Sequence, residues 1–354
     1  MHRPRLIGPV LAVSLVASLA ACSPSEGSTD SSADGGAGAT TAEDGTLLIY
    51  SGRNENLVEP LLEQLEDAVG VAVEVRYAST SELAAQLLEE GDASDADIFF
   101  GQDAGALGAL AKAGMLAELD GSVTDLVPEA YRDSDGRWVA TSGRARVLAY
   151  DPEQVPEIEE ITVIDQILDP EYAGTVGYAP SNASFHAFVT ALRVERGEDG
   201  ARQWLEDFAA QDPQAYENNN AVLDAVDGGQ VALGLINHYY WFQKVAELGE
   251  DEVSAEIHFL DNDDPGALVN VAGAGVLAST DMPEAAAAAI AFLLSDDAQR
   301  FFADETAEYP VVEGITSSTF DLEPLAELDA HQIDLNDLDS LDETLALLDE
   351  VGLT

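Results

Sequence analysis

The fold is decided by three short apolar segments, TLLIYSG at 46–52, VAVEV at 71–75 and DIFF at 97–100. Short runs that are rich in β-branched and aromatic residues predict buried strands. Leucines at helical spacing over 57–68, and a helical pattern over 79–90 whose first residue is a serine cap, separate the three segments. This alternation predicts a parallel sheet with helices on both faces and a ligand site at the carboxyl ends of the strands.

Strand and helix patterns resume after residue 175. They predict strands at 176–178 and 231–236, and helices at 184–196, 201–210, 221–227, 284–294 and 296–305. Two extended stretches, near 140–147 and 268–272, look like crossings between two lobes. The sequence therefore predicts an α/β protein with two lobes, two crossings and a central cleft. We assign 46–143 with 271–320 to lobe 1, and 144–270 with 321–354 to lobe 2.

The N-terminus has the features of a secretory signal. Arg3 and Arg5 precede an apolar run that ends in Leu19-Ala20-Ala21-Cys22, and this run is too short for a comfortable membrane span. A Cys directly after small residues resembles the lipobox of bacterial lipoproteins, which implies a signal peptide at 1–21 and lipidation of Cys22. An ordinary signal peptide with a chance Cys is the alternative. Residues 22–45 would form the lipidated Cys and a flexible linker, because their polar composition cannot bury a core.

The chain is strongly acidic, with 68 Asp and Glu residues against 14 Lys and Arg residues and a formal charge of −54. Such a surface repels phosphate backbones, so no nucleic-acid partner is expected. Strong acidity favours solubility and fits a high-salt setting. Cys22 is the only cysteine, so the fold must depend on packing, which a chain of this length can supply over two domains.

Six segments are similar to those of one protein family. They are Tyr50-Ser51-Gly52-Arg53, Ala96 to Phe100, Ser142 to Val147, Ala179 to Phe185, Asn237 to Trp241 and Tyr309-Pro310-Val311. With these segments, residues 46–320 resemble the ferric-ion-binding branch of bacterial extracellular solute-binding proteins, the bacterial transferrins. The resemblance implies a type II periplasmic-binding-protein-like fold and ferric iron, Fe3+, as the transported ligand. It also implies an ABC permease and its ATPase as separate partner chains. We expect a monomer that is attached only through its lipid to the outer face of the cell membrane.

The adjacent pair Tyr239 and Tyr240 carries most of the expected metal chemistry. Ferric iron is a hard ion that prefers anionic oxygen, and a bound cation can displace the proton of a phenol at neutral pH. Both side chains can reach one ion only if the backbone bends at this point. The alternative is one core tyrosine and one surface tyrosine. His238 is expected to pack behind the pair.

The other iron ligands of the family are replaced in this chain. The resemblance places a His of the first lobe at Asn54 and a Glu at Gln102, and neither residue type is a strong ferric ligand. A carboxylate follows each position, at Glu55 and at Asp103. Either carboxylate could complete the coordination sphere, and either could be an ordinary surface acid.

A small synergistic anion, such as carbonate, phosphate or citrate, is the remaining expected ligand. Asn182-Ala183-Ser184 opens a predicted helix, and free backbone N–H groups at a helix N-terminus favour an anion. In the resembling proteins, the counterparts of Asn219 and Asn237 contact the anion. Arg144 could add positive charge, although an arginine at a crossing can also be purely structural.

Two other functions compete with ferric transport. The first is the same fold with a small organic or inorganic anion, such as a phosphonate or a carboxylate, and no metal; loss of the His and Glu counterparts favours it. The second is a secreted enzyme. The sequence contains no Gly-x-Ser-x-Gly, His-Glu-x-x-His or phosphate-loop motif, so we expect no catalytic residues.

Overall fold

The computed structural model describes residues 45–261, 264–325, 327–328 and 333–354. The predicted signal peptide, Cys22 and the linker up to residue 44 lie outside the described residues. Within the described ranges, no helix combines the length and the apolar character that a bilayer crossing requires.

Strands and helices alternate over most of the chain. The strands are β1 (Thr46–Ser51), β2 (Ala72–Tyr77), β3 (Ile98–Gly101), β4 (Val139–Tyr150), β5 (Val176–Tyr178), β6 (Gln214–Ala215), β7 (Leu233–Asn237), β8 (Glu256–His258), β9 (Val269–Val276) and β10 (Tyr309–Pro310). The helices are α1 (Glu55–Leu62), α2 (Leu65–Val69), α3 (Thr80–Glu90), α4 (Ala104–Lys112), α5 (Gly121–Thr124), α6 (Ala183–Ala210), α7 (Asn219–Asp227), α8 (His238–Leu248), α9 (Pro283–Leu293), α10 (Asp296–Glu305) and α11 (Leu341–Val351).

The strands follow the order β2-β1-β3-β9-β4-β7-β5-β6, with β8 and β10 also paired to β4. β1 is parallel to β2 and to β3, as predicted. The sheet as a whole is mixed, because β9, which contains most of the second predicted crossing, runs antiparallel to both β3 and β4. β4 pairs with β9 up to Ala145 and with β7 from Arg146 onward. The first predicted crossing is therefore one uninterrupted strand that changes partners.

Local signals explain most element ends. The hydroxyl of Ser79 accepts a hydrogen bond from the backbone of Glu82 and caps α3, as the sequence predicts. Gly197 has φ of 70° and breaks α6 at the predicted place. The leucines at helical spacing over 57–68 lie in two short helices, α1 and α2.

Two large apolar cores lie on either side of the change of partners in β4. The first contains β1, β3, α4 and α9, and the second is built around α6, β5 and the residues after β4. Leu325, Leu335 and Leu338 pack in the first core, whereas Leu347 and Leu348 of α11 pack in the second. The tail thus contacts both cores, although the predicted boundaries assign all of it to lobe 2. Those boundaries remain a prediction.

We expect Thr344→Val to lower the free energy of unfolding by about 2 kcal/mol, because it leaves buried hydrogen-bonding groups without a partner. The Thr344 hydroxyl is buried, lies 2.7 Å from that of Thr190 and accepts from Arg193 at 2.9 Å. Urea unfolding checks this, with Thr316→Val on an exposed loop as the matched control, expected to change stability by less than about 0.5 kcal/mol. If the two variants were equally stable, the hydrogen bonds of Thr344 would not stabilise the packing of α11 on α6.

Candidate functional site

The tyrosine pair lies where β7 gives way to α8. β7 ends at Asn237 and α8 begins at His238, which places Tyr239 and Tyr240 in the first helical turn. Their rings stack with centroids 4.2 Å apart at an angle of 30°. Tyr239 is buried and Tyr240 is partly exposed. The backbone bend that the pair requires is thus a strand-to-helix junction.

His238 holds the β7–α8 junction in place through contacts with other segments of the chain. Its Nδ1 accepts a hydrogen bond from the backbone of Ala145 at 3.2 Å, and its Nε2 donates to the carbonyl of Ala307 at 2.8 Å. The ring stacks on Tyr309 with centroids 4.4 Å apart. These partners require a neutral imidazole with its proton on Nε2, and burial lowers the pKa of His238 to about 4.

Two arginines lie on the side of β4 that faces the pair. Residues two apart in a strand point to the same face, so Arg144 and Arg146 are neighbours, and both are at least 96% buried. Arg146 donates to the hydroxyl of Ser184 at 3.1 Å. Nε of Arg144 is buried without a hydrogen-bond partner. Burial and the neighbouring Tyr240 raise the pKa of Tyr239 well above its ordinary value, and the charge of Arg144 opposes this shift.

The start of α6 supplies a second polar wall. The side chain of Asn182 caps α6, accepting from the backbone of Ser184 at 2.9 Å and from its hydroxyl at 2.7 Å. Asn219 donates to the same hydroxyl at 3.1 Å. The side-chain oxygens of Asn219 and Asn237 are buried and have no partner. The predicted anion residues are therefore brought together around Ser184, beside the arginines.

Gln102 and Asp103 approach from the first core. Asp103 caps α4 by accepting from the backbone of Ala106 at 3.1 Å. Burial raises the pKa of Asp103, against that backbone hydrogen bond and the charge of Arg144. The backbone of Gln102 donates to the Thr80 hydroxyl at 3.0 Å, and its side-chain oxygen is buried without a partner.

These groups enclose a cavity of about 10 Å³, which is room for about one water molecule. Its lining consists of Gln102, Asp103, Arg144, Arg146, Ala183, Ser184, Asn237, Leu268 and Asn270. Neither tyrosine lines the cavity. Arg144 interacts electrostatically with Tyr239, and Arg146 interacts electrostatically with Tyr240.

Asn54 and Glu55 are not part of this assembly. Both are exposed at the start of α1, and Glu55 lines a separate surface depression with Glu59, Glu63 and Tyr77. Among the described residues, no group of three or more His, Cys, Asp or Glu side chains could hold a metal ion.

Sequence reasoning missed Arg146 and Asn270 as cavity residues. Strand alternation from Arg144 would have predicted Arg146. Asn270 lies opposite Arg144 on β9. Its side-chain oxygen accepts from the backbones of Ala104 at 3.3 Å and Val271 at 2.8 Å, so its amide nitrogen is left for the cavity. No local pattern in the sequence indicates this, because it depends on the pairing of β4 with β9.

Comparison with known proteins agrees with this architecture. The family model of the bacterial extracellular solute-binding protein matches residues 94–335. The Fe(3+)-binding periplasmic protein of Serratia marcescens is 34% identical, over 90% of this chain and 93% of that protein. The major ferric iron-binding protein of Neisseria meningitidis serogroup B is 32% identical, over 87% of this chain and 93% of that protein. The crystal structure of iron-bound HitA from Pseudomonas aeruginosa has a TM-score of 0.80 and 34% identity, covering 87% of this chain and 99% of that one. The two-lobed α/β fold is thereby confirmed, and the chain belongs to the bacterial extracellular solute-binding protein family.

Proposed function

We propose that this chain is the solute receptor of an ABC import system and binds ferric iron between its lobes together with a small anion. The observation that carries the proposal is the pair Tyr239 and Tyr240, stacked at the β7–α8 junction beside two buried arginines. Relatives that match nearly the full chain are named for ferric iron binding. Both phenols would bind iron as phenolates after losing their protons to the metal.

Two phenolates leave one positive charge on Fe3+ and several open coordination positions. Asp103 is the better candidate for a further ligand, because it lines the cavity beside Arg144 whereas Glu55 lies in a separate depression. Gln102 and Asn54 are weak ferric ligands and would at most assist. Closure of the cleft would carry Asp103 toward the tyrosines, and the closed form would dock on the permease.

The anion would bind where the start of α6 meets the arginines. Asn182-Ala183-Ser184 offers a helix N-terminus, and Arg144 offers a guanidinium with a buried, unpartnered Nε. Carbonate, phosphate and citrate all present oxygens to such donors. Permease and ATPase would be separate chains, and Cys22 would carry the lipid that holds a monomer at the outer face of the cell membrane.

An anion without a metal is the second candidate. The two buried arginines and the single carboxylate among the cavity residues favour it, since they give the cavity itself a positive charge. In this case the tyrosines would act only as packing residues behind the arginines.

A visible spectrum of the metal-stripped full chain, titrated with ferric citrate and bicarbonate, separates the two functions. Phenolate-to-iron charge transfer absorbs visible light, so we expect a saturable band at about one iron per chain, weakening under mild acid as phenolates reprotonate. A flat spectrum, with thermal stabilisation by an anion alone, would support the anion receptor instead.

A further inference from the structure

We propose that Arg53 is a positioning residue that neutralises Glu308 and so leaves Arg144 available to the bound anion. This inference rests on the proposed function, because it concerns the same anion site. Arg53 itself does not line the cavity.

Arg53 and Glu308 form a fully buried ion pair. One guanidinium nitrogen of Arg53 lies 2.8 and 2.9 Å from the two carboxylate oxygens, and both side chains have 0% exposure. The guanidinium also lies over the rings of Phe100 and Phe302, at 5.3 and 5.8 Å. A buried carboxylate requires such a partner, since an unpaired buried charge is strongly unfavourable.

The carboxylate of Glu308 lies beside the row of side chains that includes Arg144. The hydroxyl of Ser142 donates to Glu308, and Ser142 precedes Arg144 by two residues in a regular part of β4. Both side chains therefore point to the same face. β10 extends this arrangement, since Pro310 pairs with Ser142 and Tyr309 with Gly143.

Arg144 nevertheless makes no side-chain hydrogen bond or ion pair with any residue in the described part of the chain. An arginine that is 3% exposed would ordinarily engage a neighbouring carboxylate. Arg53 and Ser142 make three hydrogen bonds to the two oxygens of Glu308, and Arg53 neutralises its charge, which reduces the attraction that Glu308 exerts on Arg144. Arg144 is the other cation whose charge acts on Glu308, so without Arg53 we expect its donors to turn to this carboxylate and to be withdrawn from the anion.

The test compares wild type, Arg53→Gln, Glu308→Gln and the double variant as full chains. The measured quantity is the bicarbonate concentration that gives half of the maximal visible iron band. We expect Arg53→Gln to raise this concentration by about 10-fold or more, the size expected when a charged hydrogen-bond donor is lost to a ligand, with an unchanged maximum. The double variant should return to within about 3-fold of wild type, because the neutral amide that Glu308→Gln introduces does not attract Arg144.

Ser142→Ala provides a milder variant if Arg53→Gln fails to fold. It removes one donor to Glu308 and should raise the half-saturating bicarbonate concentration about 2- to 5-fold, an effect that Glu308→Gln should cancel. Arg132→Gln, which breaks an exposed ion pair with Asp125, is the matched control and should change nothing. A purely structural role for Arg53 would instead lower the maximum of the band without changing the bicarbonate requirement, and the double variant would show no rescue.

The same set also separates this inference from the proposed iron function. Thermal stabilisation by phosphate alone reports the anion site without a metal. If wild type shows no iron band but phosphate stabilises it, the proposed iron function is wrong. A larger phosphate requirement in Arg53→Gln would then still support the role of Arg53. An equal phosphate requirement, or no response of wild type to either anion, would overturn it.

Discussion

Replacing both Tyr239 and Tyr240 with Phe should abolish the visible iron band and weaken ferric iron binding by at least about 100-fold. Loss of a residue that merely orients a metal ligand costs about 10- to 100-fold in affinity, so loss of two direct ligands should cost at least the upper figure. The fold should survive, because the rings keep their stacked contact at 4.2 Å and lose only their hydroxyl groups.

The measurement is the ferric citrate titration combined with thermal unfolding of the metal-free protein. A double variant of two tyrosines outside the site, Tyr131→Phe with Tyr172→Phe, is the matched control and should retain the full band. If the Tyr239 and Tyr240 variant kept its band, the assignment of the iron ligands would be wrong. If it lost the band and also showed no folded state in thermal unfolding, the single variants would be used to separate the effect on binding from the effect on stability.

The stability of the metal-free protein should fall by about 3 kcal/mol between pH 7 and pH 4 because of His238 alone. Burial lowers the pKa of His238 from 6.5 to about 4. Between these values the unfolded chain binds a proton that the folded chain does not, so stability is complete above pH 6.5 and declines as the pH falls toward 4. Protonation would also put a donor at Nδ1 against the backbone N–H of Ala145.

Urea unfolding from pH 7 to pH 4 on wild type and His238→Gln checks this expectation. Other groups also titrate in this range, so the difference between the two curves is the informative quantity. The side chain of Gln can still donate to the Ala307 carbonyl but cannot take up a proton. The free energy of unfolding of His238→Gln should therefore depend less steeply on pH than that of wild type, by up to about 1.4 kcal/mol per pH unit. Parallel curves would mean that His238 does not titrate with unfolding.

Much of the fold follows from local sequence signals. Ser79 and Gly197 act through their own backbone and side-chain chemistry, and the structure places a cap and a helix break at these residues. The direction of β9 could not be predicted from local sequence signals. A strand carries no local mark of whether its neighbour is parallel or antiparallel, and that choice depends on which distant segment it meets.

The residues of the candidate site divide in the same way, into those that local sequence predicts and those whose position depends on distant parts of the chain. The start of α6 was predictable because a capping residue acts within its own turn, and Asn182 does so here. The position of Glu55 was not predictable, because the rotation of α1 on its axis decides whether its first residue faces the cleft or the solvent. Asn270 was missed for a related reason, since its role depends on the register that sets it opposite Arg144.

The continuity of β4 has a mechanical consequence. Arg144 and Arg146 lie where β4 changes its partner from β9 to β7, and no loop interrupts the strand at this crossing. Any rotation of the part of the sheet around β9 against the part around β7 would bend β4 at this point, where displacement is smallest. If the cleft opens and closes, the two guanidinium groups would hold nearly the same place next to the start of α6, while Asp103 would move toward and away from them.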